Sequence, residues 1–517
     1  MKLRKKSLIC FALSLLAAVS FTACSSSSVR RDIRTPQHFL DLDPKADYLK
    51  VHFRDGRLTI LSEWRSFEKE RIIIGSGFRY DVNRSSIGMG MDTIPFDKIA
   101  LLETNVVHPG EGIVGMAVLT GGTVALAIYC AANPKACFGS CPTFYAWDGK
   151  NFILMAEGFS SSVLPSLEDR DIDALYAAKP PSRNFELRMT NEALETHLIR
   201  YADLLIAKRP QGGRILHMTD NTLREAFSFY PPTDCIAPEG DIMLKLLSFD
   251  TIERSSAADS NDLAEKETIE LRFDKHPGIH KGLTLGFRQS LLTTFLFYQG
   301  LAYLGDSAVK FMAMLESHPE ISKMLGDPFG GNLGGIDISV QHRSGQWVNI
   351  GNFYETGPIA HNVQTIAIPD SLSDCTKIRM EMTKGMWRLN YASLVNLGNE
   401  VTPTRLHPYE VSSDTGKCPE ALAILQSGTS HLVSMPGDKW ILKYELPEDY
   451  PNYEILLDTK GYYLEWMRKE WLAETNAEKA AFMFAFPALF LKQEAPIFKQ
   501  LEPSMENTFW SSKYVRH

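Results

Sequence analysis

The chain has 517 residues, 62 acidic against 54 basic, for a formal net charge of −8. That mild acidity, with no basic block, argues against nucleic acid as a partner. A 44% share of hydrophobic residues over this length supports two or three packed domains, and eight cysteines are too few for a disulfide scaffold.

The first residues read as an export leader. Lys2, Arg4, Lys5 and Lys6 form a positive start, and Leu8–Val19 is an apolar stretch too short to span a membrane comfortably. Phe21-Thr22-Ala23-Cys24 resembles the bacterial lipobox, with small Ala23 before the cysteine and Phe21 in place of the usual leucine. That resemblance implies cleavage after residue 23 and lipid on Cys24. The serine that follows, Ser25, favours the outer membrane by the same sorting rules. Losing four positive charges with residues 1–23 takes the net charge from −8 to −12. Residues 24–34, opening with Ser25–Ser28, read as a flexible tether.

Residues 35–112 carry the pattern of an antiparallel β unit. Tyr48–Arg54 alternates, Asp55-Gly56 supplies a two-residue turn, and Arg57–Trp64 returns as the second arm of a hairpin. Arg71–Tyr80 and Ile94–Leu102 read as two further strands, with Ile87–Met91 as a turn between them. The glycines here lack the strand–loop–helix setting of a phosphate loop.

Residues 113–149 are expected to hold an apolar helix and a cysteine loop. Ile113–Ala132 is uncharged for twenty residues, long enough to cross a bilayer. A single crossing would put the rest of the chain opposite the lipid anchor, and the flanks show little Lys/Arg asymmetry to drive it. A buried or membrane-resting helix is the preferred reading, with a true span as the alternative. Cys137-Phe138-Gly139-Ser140-Cys141-Pro142 follows. Cys137 and Cys141 are candidates for a structural disulfide, because export would place them in an oxidising compartment. Gly139 permits the tight loop. A soft metal such as copper, or redox chemistry, is the competing use of the same thiols.

Pro142–Tyr145 and Asn151–Ala156 flank Asp148-Gly149, a strand-turn-strand signal. A middle β-rich region spans 150–330, with β character at Phe185–Met189, His197–Ala207 and Ile215–Met218 and apolar stretches at Leu263–Phe273 and Leu283–Leu304, of which Leu291–Leu304 is too interrupted to prefer a span over a core strand or helix. The acidic run Glu168–Asp173 lacks the glycine bend of a calcium loop and reads as solvated. His276 and His280 flank Pro277-Gly278 and read as surface loop. A sandwich-like unit follows over 331–400, its strands at Ile336–His342, Gln346–Ile350, His361–Ile368, Lys377–Thr383 and Trp387–Leu394. Its aromatic residues Trp347, Phe353, Tyr354, Trp387 and Tyr391 read as core, with a sugar-stacking platform as the alternative. In 401–517, Tyr453–Asp458 is a strand, Lys460-Gly461 a turn, Tyr462–Thr475 a helix, and Ala477–Leu491 a helix broken at Pro487.

The fold class expected is mainly β (α+β overall), with antiparallel and sandwich-like sheets, a central apolar helix and C-terminal helices. No hydrolase elbow, nucleotide-binding loop or zinc helix is present, so no catalytic residue, resident metal or cofactor is expected. The block Asn133–Tyr145, the Tyr48–Trp64 hairpin and Gly461–Met467 resemble a family of uncharacterised bacterial lipoproteins. The resemblance implies an exported protein anchored to the bilayer through Cys24 and brings no known activity; the expected role is non-enzymatic binding of an envelope protein or glycan through a β-sandwich surface, with thiol-dependent metal handling or redox chemistry at Cys137 and Cys141 as the alternative.

Overall fold

The computed structural model describes residues 27–34, 36–42, 46, 49–53, 57–80, 86–109, 141–163, 167–193, 195–250, 252–305, 330–354, 357–465 and 474–511. With 49% strand against 19% helix, the protein is mainly β. It forms two compact units. One takes in residues 1–129, 297–318 and 467–490, and the other takes in 130–296, 319–466 and 491–517. Ile113–Ala132 lies outside the described residues. Among those described, no helix is long and apolar enough to cross a membrane.

The first unit is built on one six-stranded antiparallel sheet. Its strands are β1 (Ser27–Arg34), β2 (Leu49–Phe53), β3 (Leu58–Phe67), β4 (Ile72–Tyr80), β5 (Ser86–Pro95) and β6 (Ile99–Pro109). The order is β1-β6-β2-β3-β4-β5. The expected hairpin is β2 and β3, closed by the Phe53 amide donating to Arg57 O at 2.9 Å. Leu49, Val51, Leu61, Ile73, Ile94, Ile99 and Leu102 pack on one face with Phe39 and Phe96. Alternation along each strand sets that face. Ser27, placed in the tether by sequence, already pairs with Pro109.

The Ile87–Met91 stretch is not a turn. It lies in β5, where Gly90 pairs with Gly77 and Met89 with Phe78. A Cβ on Gly77 would sit 1.9 Å from Ile60 O, so the glycine serves close strand approach rather than chain reversal.

The second unit carries four more sheets. In the second sheet the order is Gly416–Lys417, Glu410–Ser413, Lys439–Glu445, Asn184–Thr190, Thr143–Trp147, Phe152–Glu157. The expected turn at Asp148-Gly149 joins its last two strands. Asp148 accepts from the amides of Lys150 and Asn151 at 2.7 Å each, and Gly149 takes φ +104°. The third sheet runs Thr404–Leu406, Glu195–Lys208, Tyr453–Glu465, Asp169–Ala174.

Both faces of the third sheet are covered. Leu204, Ile206 and Leu457 join the core of the second sheet, while Leu205, Ala207 and Leu456 pack with Ile215 and Leu223 of the fourth. That double burial is why Leu204-Leu205-Ile206-Ala207 reads as a continuous apolar run rather than an alternating one. The fourth sheet has Gly213–His217, Leu223–Tyr230, Trp387–Glu400, Lys281–Gln289 and Asn362–Ile368, with Arg254–Ser255 added beside Trp387–Glu400. The fifth has Gly240–Asp241, Asp234–Ala237, Lys266–Arg272, Lys377–Thr383, Ile336–Gln341 and Trp347–Phe353.

Near the C-terminus the strand Tyr453–Glu465 runs straight through Lys460-Gly461, where a turn was expected. Tyr462–Glu465 extends it against Glu195–Leu198 instead of opening a helix. Gly461 has a packing reason, since a Cβ there would meet Leu198 O at 2.4 Å and the Phe159 ring at 2.8 Å. Sheet contacts outweigh the helical spacing of the aromatic residues. The apolar run after Leu291 is the helix Leu292–Leu304, whose first turn is capped by the Leu292 amide donating to Ser290 Oγ at 3.1 Å. The expected break at Pro487 is present. Ala477–Ala485 ends, Phe486 leaves helical geometry, and Pro487–Ser511 starts anew.

Candidate functional site

Of the candidate cysteines, Cys24 and Cys137 lie outside the described residues. Cys141 is a buried free thiol in the core with Phe144, Phe159 and Leu187. The expected Cys137–Cys141 pairing therefore has one described end, and no disulfide joins the described residues. Burial pushes the Cys141 thiol well above its usual range, and the nearby carboxylates of Glu157, Glu195 and Glu465 push it further, Glu157 also through a hydrogen bond. A thiol held protonated is a poor nucleophile and a poor soft-metal ligand. Among the described residues, no three His, Cys, Asp or Glu side chains converge as a metal ion requires.

The aromatic candidates do not form a platform. Phe353 and Trp387 are buried, each set edge-to-face on Phe287 at 5.6 and 5.8 Å. Trp347 carries the Arg379 guanidinium 4.1 Å above its ring, and Tyr354 is exposed. His276 stacks on Tyr230 at 3.6 Å, while His280 lies 3.0 Å from Asp370 at the surface.

The acidic run is not a solvated loop either. Asp169–Ala174 is a strand of the third sheet, Asp171 accepts from the Phe159 amide at 2.9 Å, and Glu168 takes two hydrogen bonds of 2.7 Å from Arg200. His431 adds a third at 2.9 Å. Burial alone would raise the Glu168 carboxyl, but these donors more than reverse it and bring it down to about 2.

Two ionic clusters emerge that the sequence reading did not assemble. The first crosses the third sheet. Asp203 and Asp458 stand directly opposite each other on neighbouring strands, both buried, a like-charge pairing that would split the sheet unless neutralised. Arg170 grips Asp458 with two bonds of 2.8 Å, and Arg405 bridges the pair, donating to Asp203 at 2.7 Å and to Asp458. His407 donates to the other Asp203 oxygen at 2.9 Å. Burial nonetheless leaves Asp203 above its ordinary range. Each carboxylate oxygen here has a fixed hydrogen-bond partner, so the row works as a clamp across four strands.

The second cluster surrounds Arg254. This side chain is fully buried and forks onto two carboxylates, meeting Glu239 at 2.8 and 2.9 Å and Glu267 at 2.6 and 2.8 Å. Burial would lower the guanidinium pKa, and the two acids override it. Ser256 also donates to Glu267, at 2.6 Å. Above the cluster opens a cleft of about 630 Å³, lined by Ser255, Ser256, Ser260, Glu239, Glu267 and Asp259 with Lys245, Lys384 and Lys499. The neighbouring residue Glu253 holds a separate network, accepting from Arg288 at 2.6 Å and Arg388 at 3.3 Å.

A signal for the first cluster was present in the sequence. Asp203, just ahead of Leu204–Ala207, and Asp458, just after Ile455–Leu457, are charges abutting apolar runs, which a fold buries only when they are paired. The second had none, because Arg254, Glu239 and Glu267 sit in unremarkable polar stretches. No family model matches the chain, and no curated protein matches it.

Proposed function

We propose that this chain is a lipoprotein of the bacterial cell envelope. It is anchored through Cys24, held at the outer membrane, and acts as a non-enzymatic binding protein for an envelope protein or glycan. The observation that carries this reading is the Ala23-Cys24 junction behind a charged and apolar leader, only three residues ahead of Ser27, where β1 begins. An acylated residue 24 would thus be followed almost at once by folded sheet.

Binding is preferred to catalysis because the carboxylates driven furthest below their ordinary range are those gripped by fixed cationic partners. A catalytic acid or base needs a pKa near its working pH and reach to a substrate proton. Glu168 and Glu253, both held down at about 2, offer neither. The thiol-dependent alternative has the acidic, buried setting of Cys141 against it.

The test has two arms. Cys24→Ala is expected to abolish incorporation of labelled palmitate in growing cells; unchanged labelling would refute the anchor. Cross-linking in intact cells followed by purification is expected to recover a discrete envelope protein or glycan, and turnover of a substrate by the purified protein would refute the non-enzymatic part.

A further inference from the structure

We propose that strand β5 is a dimer interface. A second copy of this chain adds its own β5 antiparallel to it, with Gly90 facing Gly90 across the two-fold axis. The proposal goes beyond the binding reading above and does not depend on the lipid anchor.

Among the described residues, β5 pairs with β4 on one side and with no strand on the other. A row of backbone N–H and C=O groups along that side is left for a partner, and another strand satisfies them together and in register. Edges are commonly blunted by lysine, by an interior proline or by short length. None of these protects β5, which has ten residues, Asp92 as its single charge and Pro95 only at its far end. Its register shift against β4 falls at Ile87 and leaves Gly88–Pro95 regular.

The outer side chains of β5 fit their own reversed copy. Phe78 of β4 pairs with Met89, and Ser76 with Met91. Phe78, Met89 and Met91 are 51%, 68% and 69% exposed, an apolar patch with no cover among the described residues. With Gly90 on the axis, Met89 of each copy opposes Met91 of the other. Four thioethers then pack flank to flank with a Phe78 ring beside each Met89, a contact that sulfur and aromatic edges favour. Ile87 opposes Thr93, a pair of β-branched residues.

On the other side of the sheet the charges complete the match. The Arg79 guanidinium lies over Gly90, where a Cβ would sit 2.6 Å from its Nη2. Arg79 itself pairs with Gly88, and nothing lies within 4 Å of where a Cβ on Gly88 would be. Its ionic contact among the described residues is 3.3 Å from Nε to Asp92, without hydrogen-bond geometry. In the proposed register Asp92 of the second copy falls opposite Gly88. It is then two strand spacings, or about 10 Å, from the Arg79 backbone, within reach of that side chain across bare glycine. Two arginines and two aspartates alternate around the axis, a balanced set that is its own complement. An axis at Asp92 would set that carboxylate against its copy, which a sheet resists. An axis at Met91 would keep the ion pairs but bring Pro95, which has no N–H, into the ladder opposite Ile87.

The test uses the full-length chain in membranes of expressing cells, with copper phenanthroline as oxidant. Met89→Cys with Met91→Cys should give a disulfide-linked dimer on non-reducing gels, well above the level of the wild-type chain. Met89→Cys with Thr93→Cys, displaced by one pair in this register, should cross-link at most about a tenth as well, because Cα atoms more than about 7 Å apart do not bridge. Sedimentation of the detergent-solubilised protein should show a monomer–dimer equilibrium. Asp92→Arg should weaken it at least about tenfold by leaving only positive charges around the axis, and Arg79→Asp with Asp92→Arg should restore it. A monomer at every concentration, equal cross-linking by the two cysteine pairs, or a dimer untouched by Asp92→Arg would overturn the proposal. So would cross-linking of position 89 to a different protein alone, which would make this edge the seat of another chain. If Asp92→Arg misfolds by circular dichroism, the cysteine pairs decide by themselves, since Met89, Met91 and Thr93 are all exposed.

Discussion

His217 shows how one buried side chain can set the acid response of the fold. Its ring is buried beside Asn221, and burial, with Arg170 nearby, lowers its pKa from 6.5 to about 4. An imidazole whose folded pKa is depressed contributes stability that is complete above its unfolded value and is lost as pH falls toward the folded one. Between pH 6.5 and 4 the fold should therefore lose on the order of 3 kcal/mol through this residue. Glu168 and Glu253, depressed from 4.5 to about 2, act by the same sign lower down, between pH 4.5 and 2. Thermal unfolding of wild type and His217→Gln from pH 7 to 5 separates the two windows. The variant should show a flatter dependence in that range, and parallel curves would count against this assignment.

At the scale of elements, the clamp across the third sheet ties strands that the chain brings together from far apart. Arg170 and Asp458 are 288 residues apart in sequence, and Asp203 and Arg405 are 202 apart. Arg405→Ala would leave two opposed, buried carboxylates unbridged, Asp458 keeping Arg170 and Asp203 keeping His407, at a cost of about 3–5 kcal/mol. Replacing Asp203 by Asn in that background should recover part of the loss, measured as the shift in urea midpoint. A double variant no more stable than Arg405→Ala would show that lost packing, not charge, sets the cost. The strand β5, an edge of its sheet among the described residues, makes a second prediction, since it exposes Ile87, Met89 and Met91 beside Phe78. An apolar edge of this length invites pairing with other chains. Met89→Lys with Met91→Lys should reduce concentration-dependent aggregation in light scattering while leaving the melting temperature nearly unchanged.

The same elements show what local sequence could and could not reveal. The β2–β3 hairpin, the Asp148-Gly149 turn and the break at Pro487 rest on nearest-neighbour chemistry, and each is where that chemistry puts it. The stretches Ile87–Met91 and Lys460–Glu465 are strands for tertiary reasons: Gly90 makes room for the Arg79 side chain and Gly461 for the Leu198 backbone, roles that look like a turn signal when the neighbour is unknown. The cleft was illegible for a related reason. Its lysines come from residues 245, 384 and 499, and nothing local marks them as companions.

On the scale of the molecule, the mainly antiparallel plan makes most contacts long-range, so folding must close large loops before sheet pairing compensates for the lost entropy. The pairing of Ser27 with Pro109 has a further consequence. Neighbouring strands lie about 5 Å apart, so the chain reaching back to Cys24 and the chain leading on to Ile113 leave the first sheet side by side. Three residues back and four residues on, each fully extended, span roughly 10 and 14 Å. Acyl groups on Cys24 and the uncharged run from Ile113 would then meet the same face of one bilayer, two moorings at a single corner. Met89, level with Glu103 through Phe78, Ile60 and Lys50, stands about 20 Å along the strands from that corner. Cys24→Ala alone should accordingly still sediment with membranes, and adding Leu119→Lys and Leu126→Lys should set it free; release by the single substitution would show that the lipid is the sole tie.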